Sequence, residues 1–286
     1  ASLSKHKQFG SLKILVLESK EAFGTGVSSR SSEVIHAGLY YPKSSLKTKM
    51  CVKGNRLLYE HCNQFAVPYK KLGKLVIANK DELDDFETLI SNARDNGVPD
   101  IKRLSKNELR SIEPSVRAEE AFISQSTGIV DSHSLMKSFL YQLTHYGHTY
   151  VERTEVISIE PRGNGFKLYL HDHSKNDPEP FDIKSRSVIN AAGMGAQKLA
   201  SRIVGYPAAK IPLQQLAKGC YFGYKKKNPF SHLIYPVTSK NPSSLGIHAT
   251  IDLGGQLKFG PDIEYISIEN YDVPESKKET FVQAIK

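Results

Sequence analysis

Apolar and polar positions divide the chain into alternating strand and helix segments. Leu12 to Leu17 is apolar almost without alternation, which is typical of a strand buried on both faces of a parallel sheet. From Ser44 to Phe65 the apolar residues recur at helical spacing behind a serine N-cap. Leu72 to Ala78 predicts a strand, and Asp81 to Ala93 predicts an amphipathic helix that Gly97 follows as a stop signal.

The same pattern continues through the middle of the chain. Ser105 and Glu108 have the spacing of a capping box for a short helix, and Ala121 to Ser124 predicts a strand. We predict no chemistry in the elements between Ser44 and Ser124, which have the pattern of a scaffold. Asp131 stands directly before the next apolar helical repeat and is interpreted as its N-cap, a structural role.

Strand signals dominate the second half of the chain. Thr154 to Ile159 alternates apolar and polar residues, and Gly163-Asn164-Gly165 predicts the turn of a hairpin. Ser187 to Asn190 predicts a further buried strand, which breaks into Ala191-Ala192-Gly193, where small side chains let the backbone approach a ligand closely. The part after Pro207 is rich in strand segments, glycine and aromatic residues.

Composition narrows the classes of function. The 286 residues are 39% hydrophobic, enough for a sizeable core, and no apolar run reaches the roughly 18 residues that a membrane helix needs. The net charge of +9 comes from scattered residues without an aromatic–basic recognition module, so we expect no nucleic-acid partner and favour an acidic small-molecule substrate. Peripheral membrane association stays open.

Cysteine and metal chemistry are not indicated. The three cysteines include no C-x-x-C pair and leave an odd count, which argues for buried thiols in a reducing compartment. The histidines and cysteines lack zinc spacing, so no metal site is predicted. A G-x-S-x-G nucleophile motif is also missing, which weakens a hydrolase interpretation.

The segment after the first predicted strand carries groups suited to a dinucleotide. Glu18 follows the strand at its carboxyl end, where it can accept ribose hydroxyls, as in dinucleotide folds. A Gly-Thr-Gly turn comes next, and then Arg30, Ser31 and Ser32, which can meet phosphate or flavin oxygens.

The run Ser28–Pro42, SSRSSEVIHAGLYYP, together with Glu18 before it, closely resembles the family of FAD-dependent L-2-hydroxyglutarate dehydrogenases. That family lies within the wider group that includes D-amino-acid oxidase and glycine oxidase. Further matches recur in order along nearly the whole chain: Gly128–Asp131 (GIVD), Val188–Gly193 (VINAAG), Leu233–Val237 (LIYPV), Gly246–Thr250 (GIHAT) and Phe259–Asp262 (FGPD).

The resemblance implies an α/β (α+β) fold with two domains, both discontinuous in sequence. A Rossmann-like FAD-binding domain is expected from residues 1–43 and 125–205, and a mixed-sheet substrate domain from residues 44–124 and 206–286. The G-x-G-x-x-G loop of such folds precedes the acidic residue by about 20 positions, and no such loop precedes Glu18. The family's glycine-rich C-terminal segment also has no counterpart before Lys286. The chain is therefore expected to be truncated at both ends or to come from a shortened isoform.

The resemblance also implies a reaction, the oxidation of L-2-hydroxyglutarate to 2-oxoglutarate by hydride transfer to FAD. Electrons would pass to an acceptor other than NAD, which the sequence does not identify. His248 is the first candidate for the base and His36 the second, because imidazole titrates near neutral pH. His36 could face the flavin ring instead. Lys218, Tyr235 and Tyr41 are the candidates for binding the dicarboxylate substrate.

Further residues are expected to contact the cofactor: Glu18, Arg30, Ser31, Ser32, Val156 through its backbone, Ala192, Gly193 and Gly260. The resemblance implies a mitochondrial location. Two alternatives stay open, an FAD-dependent amino-acid or amine oxidase of the same fold, and a non-catalytic remnant that binds FAD weakly because it lacks the phosphate-binding loop.

Overall fold

The structure is a computed structural model that describes residues 12–176, 179–237 and 246–285. Within these ranges the α-helices are α1 (Leu46–Phe65), α2 (Leu83–Asp95), α3 (Lys106–Ile112), α4 (Ser132–His145), α5 (Ala196–Ser201) and α6 (Lys278–Ile285). The strands are β1 (Leu15–Leu17), β2 (Val34–Ile35), β3 (Tyr69–Lys70), β4 (Lys74–Ala78), β5 (Ile101–Leu104), β6 (Glu120–Ser124), β7 (Gly128–Val130), β8 (Thr149–Val151), β9 (Thr154–Arg162), β10 (Gly165–Asp172), β11 (Phe181–Ser185), β12 (Leu216–Lys218), β13 (Phe222–Gly223), β14 (Leu233–Pro236), β15 (His248–Ile251), β16 (Leu257–Gly260) and β17 (Glu264–Ile266).

The chain forms two compact units, and each is assembled from two separate stretches. Unit 1 contains the described residues up to Arg30 together with Met136–Gln215, and unit 2 contains Ser31–Leu135 and the described residues from Leu216 onward. The prediction that both parts are discontinuous is confirmed. The finer domain limits predicted from the sequence, at residues 43, 124 and 205, stay predictions.

Unit 1 is built around an antiparallel three-stranded sheet with the order β11-β10-β9. The turn at Gly163 and Asn164 joins β9 to β10, as the glycine pattern predicts. Ile159, Leu168 and Leu170 form the buried centre of this unit. A separate parallel pair joins β1 to β8, with Leu15 opposite Thr149.

Two strand predictions in unit 1 are wrong in part. β1 is a strand, but it is not buried on both faces, since Leu15 is 43% and Val16 is 39% exposed. The segment Ser187–Asn190 forms no strand, and Ile189 is 71% exposed. A strand interior needs neighbours on both sides. Among the described residues, β1 pairs with β8 alone, and Ser187–Asn190 pairs with no strand.

Unit 2 holds a seven-stranded mixed sheet with the order β13-β16-β15-β14-β4-β6-β5. β4 lies inside this sheet, parallel to β14 and antiparallel to β6, so both of its edges are paired. Leu75 and Val76 are fully buried there and pack into two hydrophobic clusters. Two smaller sheets, β2-β7-β3 and β12-β17, complete the strands of this unit.

The helix starts follow the predicted capping chemistry. Ser45 accepts a hydrogen bond from the Thr48 N–H at 3.1 Å and starts α1. Ser105 and Glu108 form the predicted capping box of α3. Asp131 accepts from the Ser134 N–H at 2.8 Å, which confirms its structural role before α4. No helix in the described part of the chain is long and apolar enough to cross a membrane.

Candidate active site

Four side chains of unit 2 lie together in a group that we name the lysine–histidine cluster: His36, Lys74, Tyr235 and His248. Lys74, Tyr235 and His248 are buried, and His36 is partly exposed. Lys74 is the first residue of β4, and Tyr235 lies on the neighbouring strand β14. Because Ile234 pairs with Ala249, the antiparallel register places His248 of β15 beside Tyr235. His36 directly follows β2.

The cluster is held together by short contacts around the lysine amine. Lys74 Nζ lies 3.5 Å from His36 Nδ1 and 3.8 Å from the centre of the Tyr235 ring. The Tyr235 and His248 rings stack with centroids 3.7 Å apart and planes inclined by 19°. Tyr40 lies at the border of the cluster, with its ring centre 5.2 Å from Lys74 Nζ. A cation, two imidazoles and aromatic faces are therefore concentrated in one place.

Lys74 is the functional candidate that the sequence interpretation missed, since it predicted no chemistry between Ser44 and Ser124. The side chain is 1% exposed, and none of the ion pairs among the described residues includes it. Burial lowers the pKa of Lys74 from its ordinary value of 10.5 to about 7. Its signal in the sequence is a single lysine that opens the apolar run KLVIA.

His248 presents one ring nitrogen as a proton acceptor. Its Nδ1 lies 3.1 Å from the Gly246 carbonyl oxygen, so we assign the proton to Nδ1 and leave Nε2 as the acceptor. Burial first, and then the charge of Lys74, lower the pKa of His248 to about 3, although the bond to Gly246 opposes this. The ring is therefore neutral at pH 7.

His36 is neutral at pH 7 for similar reasons. Burial, followed by the charges of Lys74, His248 and Lys47, lowers its pKa to about 3. Its backbone carbonyl accepts a hydrogen bond from Asn55 Nδ2 at 3.1 Å, which attaches this loop to α1. The structure thus brings together both histidines that the sequence selected.

The phenols beside the cluster are kept protonated. Burial raises the pKa of Tyr235 and of Tyr40 above the ordinary value of 10. The Tyr40 hydroxyl is buried and has no hydrogen-bond partner among the described residues. Tyr41, a predicted substrate contact, is half-buried, and Lys47 Nζ lies 4.4 Å from the centre of its ring. Tyr40 is thus a second donor that the sequence did not indicate.

Two other predicted residues of unit 2 lie elsewhere. Lys218 is on β12, and its Nζ donates a hydrogen bond to the Asp272 carbonyl at 3.1 Å. This hydrogen bond is not with a residue of the lysine–histidine cluster. Gly260 ends β16 with φ at +143°, and a Cβ there would lie 2.5 Å from the Cys220 carbonyl oxygen. This crowding by the protein's own backbone explains the glycine. A contact of Gly260 with the flavin stays a prediction.

The first predicted cofactor residues make local contacts. Glu18 follows β1, is partly exposed, and accepts from the Lys20 N–H at 2.8 Å through Oε1. Arg30 Nη1 donates to the carbonyls of Thr25 and Gly26 at 2.6 and 2.8 Å, and so closes its own turn. Ser31 Oγ accepts from the Glu33 N–H at 3.3 Å. Burial raises the pKa of Tyr221, and a hydrogen bond with Ser32 partly opposes it.

The later cofactor candidates lie in unit 1. The Val156 carbonyl on β9 accepts from Arg202 Nη1 at 2.7 Å. The Ala192 N–H donates a hydrogen bond to Asn190 Oδ1 at 3.2 Å, and Gly193 adopts a φ of +56° at the start of a 3₁₀ turn. A Cβ built on Gly193 would meet no atom within 4 Å, so this turn has open space beside it.

Comparisons with known proteins agree with the resemblance. The family described as FAD dependent oxidoreductase (DAO) matches residues 2–286. The mitochondrial L-2-hydroxyglutarate dehydrogenase of Arabidopsis thaliana is 36% identical over 280 residues, which cover 89% of this chain and 58% of the relative. The human protein of the same name is 29% identical over 270 residues, covering 88% and 55%. The chain thus spans less than two thirds of the length of these relatives.

Solved structures confirm the predicted fold. FAD-bound, dithionite-reduced L-α-glycerophosphate oxidase from Mycoplasma pneumoniae superimposes with a TM-score of 0.81 at 19% identity, covering 95% of this chain and 71% of that one. Glycine oxidase from Geobacillus kaustophilus gives a TM-score of 0.72 at 18% identity, with 96% and 70% covered. At these identities the likeness shows the fold alone.

The residues of unit 1 fit a flavin dinucleotide. Glu18 places a partly exposed carboxylate at the carboxyl end of a parallel strand, where ribose hydroxyls bind in such folds. Gly193 offers a turn without side-chain obstruction. Directly after this turn, Gln197 Oε1 is buried and accepts no hydrogen bond from the described residues. A buried polar atom without a partner suits a site that a polar ligand completes.

Proposed function

The chain belongs to the FAD-dependent oxidoreductase family, and on that basis we propose that it oxidises L-2-hydroxyglutarate to 2-oxoglutarate. The observation that carries the proposal is the lysine–histidine cluster. Oxidation of a hydroxy acid requires an acceptor for the hydroxyl proton and a cation for the carboxylates. The cluster supplies a neutral imidazole acceptor and a buried lysine. Support for the substrate comes from the relatives of that name at 36% and 29% identity.

Unit 1 would hold the cofactor. Glu18 would accept hydrogen bonds from ribose hydroxyls, the Ala192–Gly193 turn would allow close approach of the backbone, and Gln197 Oε1 would accept one further hydrogen bond. When FAD is bound, its isoalloxazine supplies a two-electron acceptor for the hydride from C2 of the substrate. The electrons would then pass to an acceptor other than NAD.

His248 would take the hydroxyl proton at Nε2. The hydrogen bond between Nδ1 and the Gly246 carbonyl fixes the tautomer, and stacking on Tyr235 fixes the plane of the ring. Both constraints pre-position the acceptor before substrate arrives. The neutral Nδ1–H remains bonded to the carbonyl while Nε2 becomes protonated, so the resulting cation keeps a hydrogen-bond acceptor.

The low pKa of His248 makes it a weak base in the free protein. Burial is the main cause, and repulsion from Lys74 is the second. A substrate carboxylate beside Lys74 would neutralise that second contribution and so raise the basicity of His248. The negative charge of the substrate would thus raise the pKa of the histidine that accepts its hydroxyl proton.

The proposed substrate class and cellular location are based on the same relatives. The proposed substrate is a small dicarboxylate, and the proposed location is the mitochondrion, because the relatives are named as mitochondrial enzymes. His36 lies next to Lys74 and would help to orient it. Tyr40 and Tyr41 would donate hydrogen bonds to substrate oxygens.

The test is the absorbance spectrum of the FAD-loaded chain during anaerobic addition of substrate. We expect L-2-hydroxyglutarate to bleach the flavin band, and the D-enantiomer and glycine to leave it unchanged. Bleaching by amino acids instead would favour an amino-acid oxidase of the same fold. A protein that stays colourless after addition of FAD would refute the proposal for this chain.

A further inference from the structure

Lys74 is surrounded by groups that suit a cation but do not neutralise it. Its Nζ has His36 Nδ1 at 3.5 Å as its hydrogen-bond neighbour among the described residues. The rings of Tyr235 and Tyr40 lie at 3.8 and 5.2 Å. Aromatic faces attract an ammonium group, which has three N–H donors to place. The site therefore has both charge and donor capacity to offer to an anion.

Among the described residues, no carboxylate is paired with Lys74 or electrostatically coupled to it. The facing or electrostatically coupled groups are Ser124 of β6, Tyr235 of β14, His248 of β15, Cys51 and Lys47 of α1, and His36 and Tyr40 of the loop after β2. The imidazoles titrate near pH 3, and burial raises the pKa of the phenols and of the Cys51 thiol. Within the lysine–histidine cluster, Lys74 is therefore the member that changes charge near neutral pH.

We propose that Lys74 binds a carboxylate of the substrate and takes up a proton from solvent when that carboxylate arrives. The inference rests on the proposed function for the substrate class, an anionic hydroxy acid, and names the residue that recognises it. In the step, the neutral amine and one proton form an ammonium group that pairs with the bound carboxylate. No bond to carbon forms or breaks, and no electron is transferred.

The assignment differs from the sequence interpretation, which gave carboxylate binding to Lys218. The Lys218 ammonium already donates to the Asp272 carbonyl. A buried ion pair has little competition from water, so one carboxylate bonded to Lys74 would favour its charged form strongly. The same pairing would select against neutral ligands, because these form no ion pair with Lys74 and cannot favour its protonation.

The experiment is isothermal titration calorimetry of the FAD-loaded chain with glutarate, a dicarboxylate that has no hydroxyl group to oxidise. Titrations at pH 8 in phosphate and in Tris give the number of protons exchanged, since these buffers differ in ionisation enthalpy. We expect the uptake of nearly one proton. We also expect the affinity to fall about tenfold between pH 8 and pH 9, as for a single group that must be protonated. Glutaramide, the neutral diamide, should not bind.

Three variants test whether Lys74 is the residue that takes up the proton and binds glutarate. Lys74→Met should lower the glutarate affinity by about 100-fold and abolish proton uptake. Lys258→Met is the matched control, because Lys258 lies on β16 of the same sheet with its amine exposed and paired to Asp252. Lys258→Met and Lys218→Met should keep both the affinity and the uptake. Circular dichroism of each variant checks the fold, and the wild-type pH series remains decisive if Lys74→Met does not fold.

Binding without proton uptake, or an affinity independent of pH, would overturn the proposal. So would loss of uptake in Lys218→Met with retention in Lys74→Met. If Lys74 instead served as the base, turnover would rise above pH 7 while glutarate affinity stayed constant. Flavin bleaching by L-2-hydroxyglutarate without proton uptake would refute the role of Lys74 alone. Lys74-dependent uptake without bleaching would refute the proposed function and leave a carboxylate site.

Discussion

Replacing Lys74 with methionine is expected to stabilise the protein, by an amount that depends on pH. The lysine is buried inside the seven-stranded sheet without an acidic partner among the described residues, so its ammonium form is disfavoured by folding. Methionine has a similar length and no charge, and it can fill the same space between the aromatic rings. The substitution thus removes the cost of burying the charge and keeps most of the packing.

The magnitude follows from the pKa of Lys74. A fall from 10.5 to about 7 corresponds to roughly 5 kcal/mol, at about 1.4 kcal/mol for each pKa unit. Between pH 7 and 10.5 the unfolded chain holds the proton and the folded chain does not. Wild-type stability from this group therefore rises with pH across that window. Below pH 7 both states are protonated, and the full cost is present.

The assay is urea unfolding followed by circular dichroism, because the chain contains no tryptophan. At pH 6 we expect Lys74→Met to be more stable than the wild type by about 3 to 5 kcal/mol, and by less than about 1 kcal/mol at pH 10. Lys258→Met, at an exposed amine, should change stability by less than about 1 kcal/mol at either pH. A less stable Lys74→Met at pH 6, or a difference that is the same at both pH values, would refute the reasoning.

Three further predictions concern stability. Glu113→Gln should lower the free energy of unfolding by about 2 to 4 kcal/mol at pH 7. Burial raises the pKa of this carboxylate, but hydrogen bonds from His232 and Ser231 outweigh burial and lower it, so the stabilisation is present above pH 4.5 and lost in acid. Urea unfolding of this variant and of the exposed control Glu119→Gln checks the prediction, and equal losses would contradict it. Gly260→Ala should lower the free energy of unfolding by more than about 2 kcal/mol, whereas Gly54→Ala inside α1, with open space around it, should raise it by about 0.5 to 1 kcal/mol. Thermal unfolding compares the two variants, and a Gly260→Ala variant as stable as the wild type would exclude the backbone crowding. The wild-type protein should lose stability from pH 6.5 towards pH 3, because His248 binds a proton in the unfolded state but stays neutral in the folded state. His248→Asn should reduce the slope of this loss by about 1.4 kcal/mol per pH unit. An unchanged slope in acid unfolding would show that the folded imidazole is already charged.

Local chemistry explains why much of the fold could be predicted. The helix α1, the capping box at Ser105 and the hairpin turn at Gly163 depend on residues a few positions apart, so their patterns stand in the sequence. The strand at Ser187–Asn190 failed because a buried strand needs a paired neighbour, which composition does not guarantee. The same reason applies to the exposed apolar residues of β1.

The site was predicted only in part, because its contacts join distant segments. His36, Tyr235 and His248 were found through family-like motifs around them. Lys74 has no such motif, and a lone lysine at the start of an apolar strand is ordinarily solvated at the sheet end. Its burial follows from the pairing of β4 with both β14 and β6, which the local pattern does not contain. Such a lysine, alone in an otherwise apolar strand, is the signal that could have indicated it.

The central claim, that the lysine–histidine cluster performs the chemistry, is tested most directly by the rate of flavin reduction in one anaerobic turnover. Stopped-flow absorbance would compare the wild type with His248→Asn at saturating L-2-hydroxyglutarate. His133→Asn, a change of another histidine of the chain outside the cluster, is the control. We predict that His248→Asn reduces the flavin about 100- to 10,000-fold more slowly while retaining it, and that the control is unaffected. An unchanged rate in His248→Asn would contradict the account.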